Sequence, residues 1–202
     1  MIHLNAAEFR SNPYIKNIKI PTARVGDFTL TTAAYEPGEI LEYDMPDFSR
    51  NPIEHRVGCF GERVEFPGIY EGVVPWMSVC PSEINSMARH IARAHGRVLV
   101  LGLGLGYYPY MIAARADVAS IDIVECQPEI IELFEANILP QFEHAAKIRI
   151  IQADAFEYVG RLTGDEYDFC FADIWQNEID GAWAYRKLHD AEMDLPGIEF
   201  AY

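Results

Sequence analysis

From about residue 75 onward the apolar positions alternate between two patterns. Residues 98–101 (VLVL), 119–125 (ASIDIVE), 147–151, 167–172 and 198–202 are short runs rich in branched and aromatic residues. Each is long enough for a strand and too short for a helix. Runs with little polar alternation predict strands buried on both faces, as in a parallel sheet. Between them apolar residues recur at helical spacing. Ile84, Met87, Ala88, Ile91 and Ala92 predict a helix opening at Pro81–Ser82, capped by Ser82 and closed by Gly96. Residues 107–115, 128–139, 155–161 and 181–192 predict four more, with Pro109 tolerable in a first turn and Pro128 suited to a first helical position. Strands alternating with helices predict an α/β fold over 75–202: a Rossmann-like, mostly parallel sheet with helices on both faces.

Residues 1–74 carry weaker patterns and predict an N-terminal arm with a small β element. Residues 15–20 and 27–34 predict strands, EPGE at 36–39 a turn, 44–52 a loop, and 54–74 short strands broken by Gly58, Gly61 and Gly68. The last predicted strand ends at Tyr202, so the sheet reads as shortened there. An exposed edge covered by a second copy, as a homodimer, is the expectation.

Composition narrows the function. Half of the 202 residues are apolar or aromatic, enough for an ordered core. The net charge of −15 disfavours nucleic acid and anionic membrane as partners and leaves a small-molecule substrate. No apolar run reaches membrane-span length, and the N-terminus has no basic region followed by an apolar core. The cysteines (Cys59, Cys80, Cys126, Cys170) are scattered without a C-x-x-C pair, which predicts free, mostly buried thiols and a cytoplasmic location. The six histidines form no metal-ligand spacing, so no metal is expected.

The chemistry centres on residues 97–111, RVLVLGLGLGYYPYM: a strand, a turn with glycines at 102, 104 and 106, then a helix. Glycine allows positive φ and close approach of a ligand to the backbone. The Lys-Ser or Lys-Thr pair of a phosphate loop is missing, because Tyr107 and Tyr108 follow the glycines. A dinucleotide fingerprint, G-x-G-x-x-G from Gly102, meets Tyr107 at its last position. Three acids stand where predicted strands end. Glu125 can accept hydrogen bonds from both hydroxyls of a ribose, or be a surface acid. Asp154 can read an adenine amine, cap the next helix, or do both with different atoms. Asp173 can orient an acceptor and take its proton, or start a turn. Trp175 and Tyr107 are candidates for the walls of a site or for the core.

Taken together, VLVLGLGLG, IDIVE, QADA and YDFCFADIW resemble the class I S-adenosylmethionine-dependent methyltransferases, most of all their spermidine-synthase-like branch. The resemblance covers about residues 75–176. It implies that Gly102, Leu103, Gly104 and Gly106 lie under the methionine and ribose of S-adenosyl-L-methionine. It implies that Glu125 holds the ribose hydroxyls, with Cys126 beside the adenine, that Asp154 reads the adenine amine next to Ala155, and that Asp173 faces the transferred group. Two departures bear on activity. Leu101 stands where many methyltransferases carry an acid, and GLGLGY replaces the acid-bearing G-G-G-D-G-G of spermidine synthases. The implied function is methyl transfer to a small, amine-bearing acceptor. The alternatives are aminopropyl transfer from decarboxylated S-adenosylmethionine, and a non-catalytic module that binds S-adenosylmethionine.

Overall fold

The computed structural model describes residues 1–43, 56–175 and 178–202, with the backbone alone at 178–180. The expected loop at 44–52 lies outside them, as do Gln176 and the side chains of Glu178 and Asp180. The chain divides into two compact units, Met1–Ala92 and Arg93–Tyr202, where the sequence pattern divides it at 74/75.

In the first unit, β1 (Ile2–Leu4), β4 (Leu41–Glu42) and β5 (Val57–Phe60) form a three-stranded sheet in the order β1-β5-β4. A second, antiparallel sheet runs β2-β3-β6-β7, from β2 (Ala23–Val25), β3 (Phe28–Tyr35), β6 (Val64–Glu71) and β7 (Val74–Ser78). Ala6, Phe9, Leu41, Phe60, Val64 and Phe66 make a buried cluster, with the Phe9 and Phe66 rings edge to face at 5.0 Å. Helix α1 spans Ala6–Ser11. The strand expected at 15–20 is absent. Instead α2 (Pro13–Asn17) starts there, its Tyr14 N–H donating to Asn12 Oδ1 at 3.0 Å. An Asn cap with Pro at the first helical position outweighs the β-branched isoleucines that follow. Of the three expected breaks only Gly61 lies between strands: β5 runs through Gly58 and β6 through Gly68.

Helix α3 (Pro81–Arg93) begins one residue earlier than expected. Ser82 is therefore inside its first turn, with its Oγ 3.0 Å from Cys80 Sγ, and is not the cap. Cys80 and Ile84 pack against the phenylalanine cluster of this unit.

The second unit is the predicted α/β sheet. Its strands are β8 (Gly96–Leu101), β9 (Val118–Glu125), β10 (Ile148–Gln152), β11 (Phe169–Ala172) and β12 (Glu199–Ala201). They lie in the order β10-β9-β8-β11-β12, every pair parallel. One face carries Leu99, Leu101, Val124, Cys170, Ala172 and Phe200, packed with Ala155 and Val159 of α6 (Ala155–Val159) and Leu188 of α7 (Glu178–Glu192). The strand residues between them, among them Val98, Val100, Ile121, Ile123, Phe169 and Phe171, turn to the other face and are also buried. Tyr108 of α4 (Tyr107–Ala113) stacks on Phe171 of that face with ring centroids 4.0 Å apart. Ile130, Leu133 and Phe134 of α5 (Pro128–Asn137) are fully buried, each worth about 1.5–3 kcal/mol.

Because β9 and β10 extend to one side of β8 while β11 and β12 extend to the other, the chain direction reverses between β8 and β11. The crevice beyond the carboxyl ends of those two strands is where open α/β sheets bind ligands.

Candidate functional site

Backbone hydrogen bonds carry the sheet ladder past the strand ends and set the next residues side by side. Gly102 N–H donates to Val124 O at 2.9 Å, Asp173 N–H to Leu101 O at 2.9 Å, and Ala153 N–H to Glu125 O at 3.1 Å. Gly102, Glu125, Ala153 and Asp173 thereby share one sheet edge, and Gly102 and Asp173 flank the point of reversal.

The three turn glycines all have positive φ: +93° at Gly102, +57° at Gly104 and +73° at Gly106. Two also lack room for a Cβ. At Gly102 it would run into the carbonyl of Asp173, and at Gly106 into the Phe134 ring. Glycine at these positions is therefore required by the turn itself. Leu103 and Leu105 are buried, so what the loop offers outward is backbone.

Glu125 closes on this loop. Its Oε2 accepts from Leu103 N–H at 3.1 Å and its Oε1 from Gln127 N–H at 2.9 Å. The Cys126 thiol also hydrogen-bonds to this carboxylate; a carboxylate has about four acceptor positions, so capacity for a further donor remains. Asp154 is the N-cap of α6, accepting from Glu157 N–H at 2.9 Å through Oδ1. The helix-cap reading of this residue holds, and Oδ2 is the atom left for recognition. Ala155 is buried at the first position of α6.

Asp173 is partly reachable by solvent yet lies amid enough protein that burial pushes its carboxyl up to about 6. That is near the pH at which a proton acceptor works best. Trp175 is half-buried, packs on the core cluster, and lies against Gly181 of α7. Tyr107 is buried at the start of α4, as the core reading expects.

The thiols differ from expectation. Cys59 and Cys170 are buried, Cys80 is intermediate, and Cys126 is exposed because β9 has already ended. Its sulfur is nonetheless partly covered, and this partial burial, then the charge of Glu125, push the Cys126 thiol up. Among the described residues no cluster of metal-ligating side chains forms, and no helix is long and apolar enough to cross a membrane.

The sequence reading missed a polar chain on the sheet face that α6 covers. Tyr167 donates to Asp122 Oδ2 at 2.7 Å, and the Tyr158 and Tyr167 hydroxyls are 2.6 Å apart. Its one signal is an acid in the middle of the strand ASIDIVE.

No protein-family model matches the chain. A curated polyamine aminopropyltransferase of Vibrio vulnificus (strain CMCP6) is 33% identical over 84 residues, 41% of this chain and 27% of that protein. Three solved structures are similar in shape. Spermidine synthase in complex with the transition-state analogue AdoDATO has a TM-score of 0.49 at 16% identity, over 68% of this chain and 53% of that one. Precorrin 8W decarboxylase of Methanobacterium thermoautotrophicum scores 0.45 at 18% identity, over 60% and 62%. Human methyltransferase-like protein 13 in complex with SAH scores 0.40 at 19% identity, over 53% and 52%. The matched parts span about a quarter of the curated relative and between half and two thirds of these solved chains. The strand order of this chain, with its reversal between β8 and β11, is the Rossmann-like, doubly wound arrangement.

Proposed function

We propose that the second unit binds the nucleoside of S-adenosylmethionine at this sheet edge and serves methyl transfer to a small, amine-bearing acceptor. The observation that carries the reading is the convergence of Glu125, Asp154 and Asp173 on the strand ends around a positive-φ glycine turn. The residues fit the cofactor. The turn presents backbone, Glu125 retains acceptor capacity for a ribose hydroxyl with a second reachable in place of the Cys126 thiol, and Asp154 retains an oxygen for an adenine amine.

S-adenosylmethionine supplies a sulfonium-activated methyl group that leaves with its bonding pair retained by sulfur as a thioether, while the amine lone pair forms the new C–N bond. The protein's part is to position and to handle charge. Glu125 and Asp154 orient the nucleoside from two strand ends. Asp173, ionised above about pH 6, attracts a cationic acceptor and receives the proton that the amine loses.

Aminopropyl transfer from decarboxylated S-adenosylmethionine is the second reading, favoured by the local similarity to an aminopropyltransferase. The absence of an acid in the loop GLGLGY supports methyl transfer over it. The two differ in product. Incubation with both donors and a panel of di- and polyamines, read by mass spectrometry, gives S-adenosylhomocysteine and an amine one methyl heavier if methyl transfer is right. Methylthioadenosine with an aminopropylated amine replaces it by the second reading. Neither product from any acceptor, with tight donor binding, leaves a non-catalytic binding module.

A further inference from the structure

Strand β10 is an open edge of the five-stranded sheet: among the described residues no strand pairs with its outer side. None of its residues is buried, although three of them, Ile148, Ile150 and Ile151, are isoleucines. Ala153 N–H donates to Glu125 O, and backbone groups along a parallel ladder point alternately to one side and the other. Residues 149, 151 and 153 therefore bond towards β9, while Ile150 and Gln152 turn their N–H and C=O groups outward. Such an edge is a template for a further strand unless charge, proline or a bulge guards it.

The charges that could guard this edge are engaged within the sheet. Lys147 Nζ donates to the carbonyls of Arg115 and Val118, each at 2.8 Å. Arg149 Nε donates to Asp122 Oδ1 at 2.9 Å. The strand holds no proline, and its register with β9 runs unbroken.

Side chains along a strand alternate between faces. Ile151 packs on the cluster that α6 and α7 cover, so Ile150 and Gln152 lie on the α5 side. There a groove of about 480 Å³ is lined by Pro128, Ile131, Glu132, Glu135 and Ala136 of α5 together with Gln152. Its charged lining residues are both acids. A strand added beside β10 sets every second side chain over this groove. A second copy of β10 does not complement it. Two-fold antiparallel pairing puts outward-turned residues opposite one another, so Arg149 stays on the other face and the glutamates of both copies share one side.

We propose that the β10 edge and the α5 groove form a docking site for an extended segment of a partner protein in which lysine or arginine alternates with apolar residues. Main-chain hydrogen bonds to Ile150 and Gln152 hold the added strand. Its basic side chains lay their stems on Ile131 and Ala136 and bring their charges beside Glu132 and Glu135. The proposal does not rest on the nucleoside reading.

The test is calorimetric titration of the full chain with the capped peptides KVKVKV, KKKVVV and EVEVEV. It is run at about 0.15 M salt, which screens general attraction to the acidic chain. KVKVKV should bind at least about threefold more tightly than KKKVVV, which has the same charge but cannot turn its lysines to one face. EVEVEV should not bind. The double variant Glu132→Gln with Glu135→Gln, at exposed positions, should erase the preference for KVKVKV. An added strand turns only alternate N–H groups towards β10. N-methylation of one set in KVKVKV, all lysines or all valines, should therefore abolish binding, and methylation of the other set should leave it. Hydrogen exchange at the Ile150 and Gln152 amides should slow in the complex. No binding of KVKVKV, equal binding of KKKVVV, a preference that survives in the double variant, tolerance of both methylations, or unchanged exchange at those amides overturns the proposal.

Discussion

Glu125 Oε2 accepts the backbone N–H of Leu103 at 3.1 Å, so the acid that ends β9 also holds the glycine turn that follows β8. Structural and ligand-binding roles meet in one carboxylate. Glu125→Ala leaves the Leu103 and Gln127 N–H groups without this acceptor, at a cost of about 1–3 kcal/mol. Glu125→Gln keeps an acceptor oxygen and should lie near the wild type in thermal stability. Both variants should lose at least about tenfold in affinity for S-adenosylhomocysteine, because both lose the charge that a ribose pair requires. Calorimetry beside thermal melts checks this; full affinity in Glu125→Ala would refute the ribose role.

The turn glycines are predicted to resist substitution even without a ligand. Gly102→Ala and Gly106→Ala each put a side chain at positive φ and into an occupied space, the Asp173 carbonyl or the Phe134 ring. Strain alone costs on the order of 1–3 kcal/mol. Urea unfolding should show midpoints well below the wild type. By contrast Gly61→Ala, where a Cβ meets open space and φ is not positive, should stay within about 0.5 kcal/mol.

Asp173 predicts two opposite pH effects. Its folded carboxyl titrates at about 6 against an ordinary 3.8, so between those values the folded state holds more protons than the unfolded one. Its contribution to stability is therefore complete below pH 3.8, falls as pH rises to about 6, and is flat above. The span is about 3 kcal/mol at most. Asp173→Asn should be more stable than the wild type at pH 8 and indistinguishable near pH 4, measured by urea midpoints. Activity should run the other way: turnover should fall below about pH 6 as the carboxylate is protonated, and the Asn variant should keep donor binding while losing turnover. A pH-independent stability difference would contradict the assignment.

Cys126 is the exposed thiol next to Glu125. Alkylation followed by peptide mass spectrometry should label it ahead of Cys59 and Cys170, which are buried. Its raised pKa keeps the reaction slow at pH 7 and accelerates it with rising pH. Saturating S-adenosylhomocysteine should protect Cys126. Unchanged labelling would place the adenine elsewhere.

Much of the second unit was legible because β8, β9 and β11 are short, mostly apolar runs bounded by glycine or acid. The runs at 98–101 and 119–125 need no partner information to be recognised. The first unit was not so legible. Residues 15–20 carry β-branched isoleucines, and only the Asn12 side-chain cap shows that a helix turn starts there. The candidate acids could be named from sequence since they stand at strand ends, whereas the hydrogen-bonded chain Tyr158–Tyr167–Asp122 reaches across 45 positions of sequence. The glycines misled in one respect. They are required by the Asp173 carbonyl and the Phe134 ring, which a sequence cannot display, so their presence does not by itself demand a ligand.

The most direct test of the account is calorimetric titration of the purified protein with S-adenosylmethionine, decarboxylated S-adenosylmethionine, S-adenosylhomocysteine and NAD. The account predicts micromolar binding of S-adenosylmethionine and S-adenosylhomocysteine, lost in Glu125→Ala, with NAD silent. Silence from all four would mean that the glycine turn and its three acids serve the fold alone, and would contradict the proposed function.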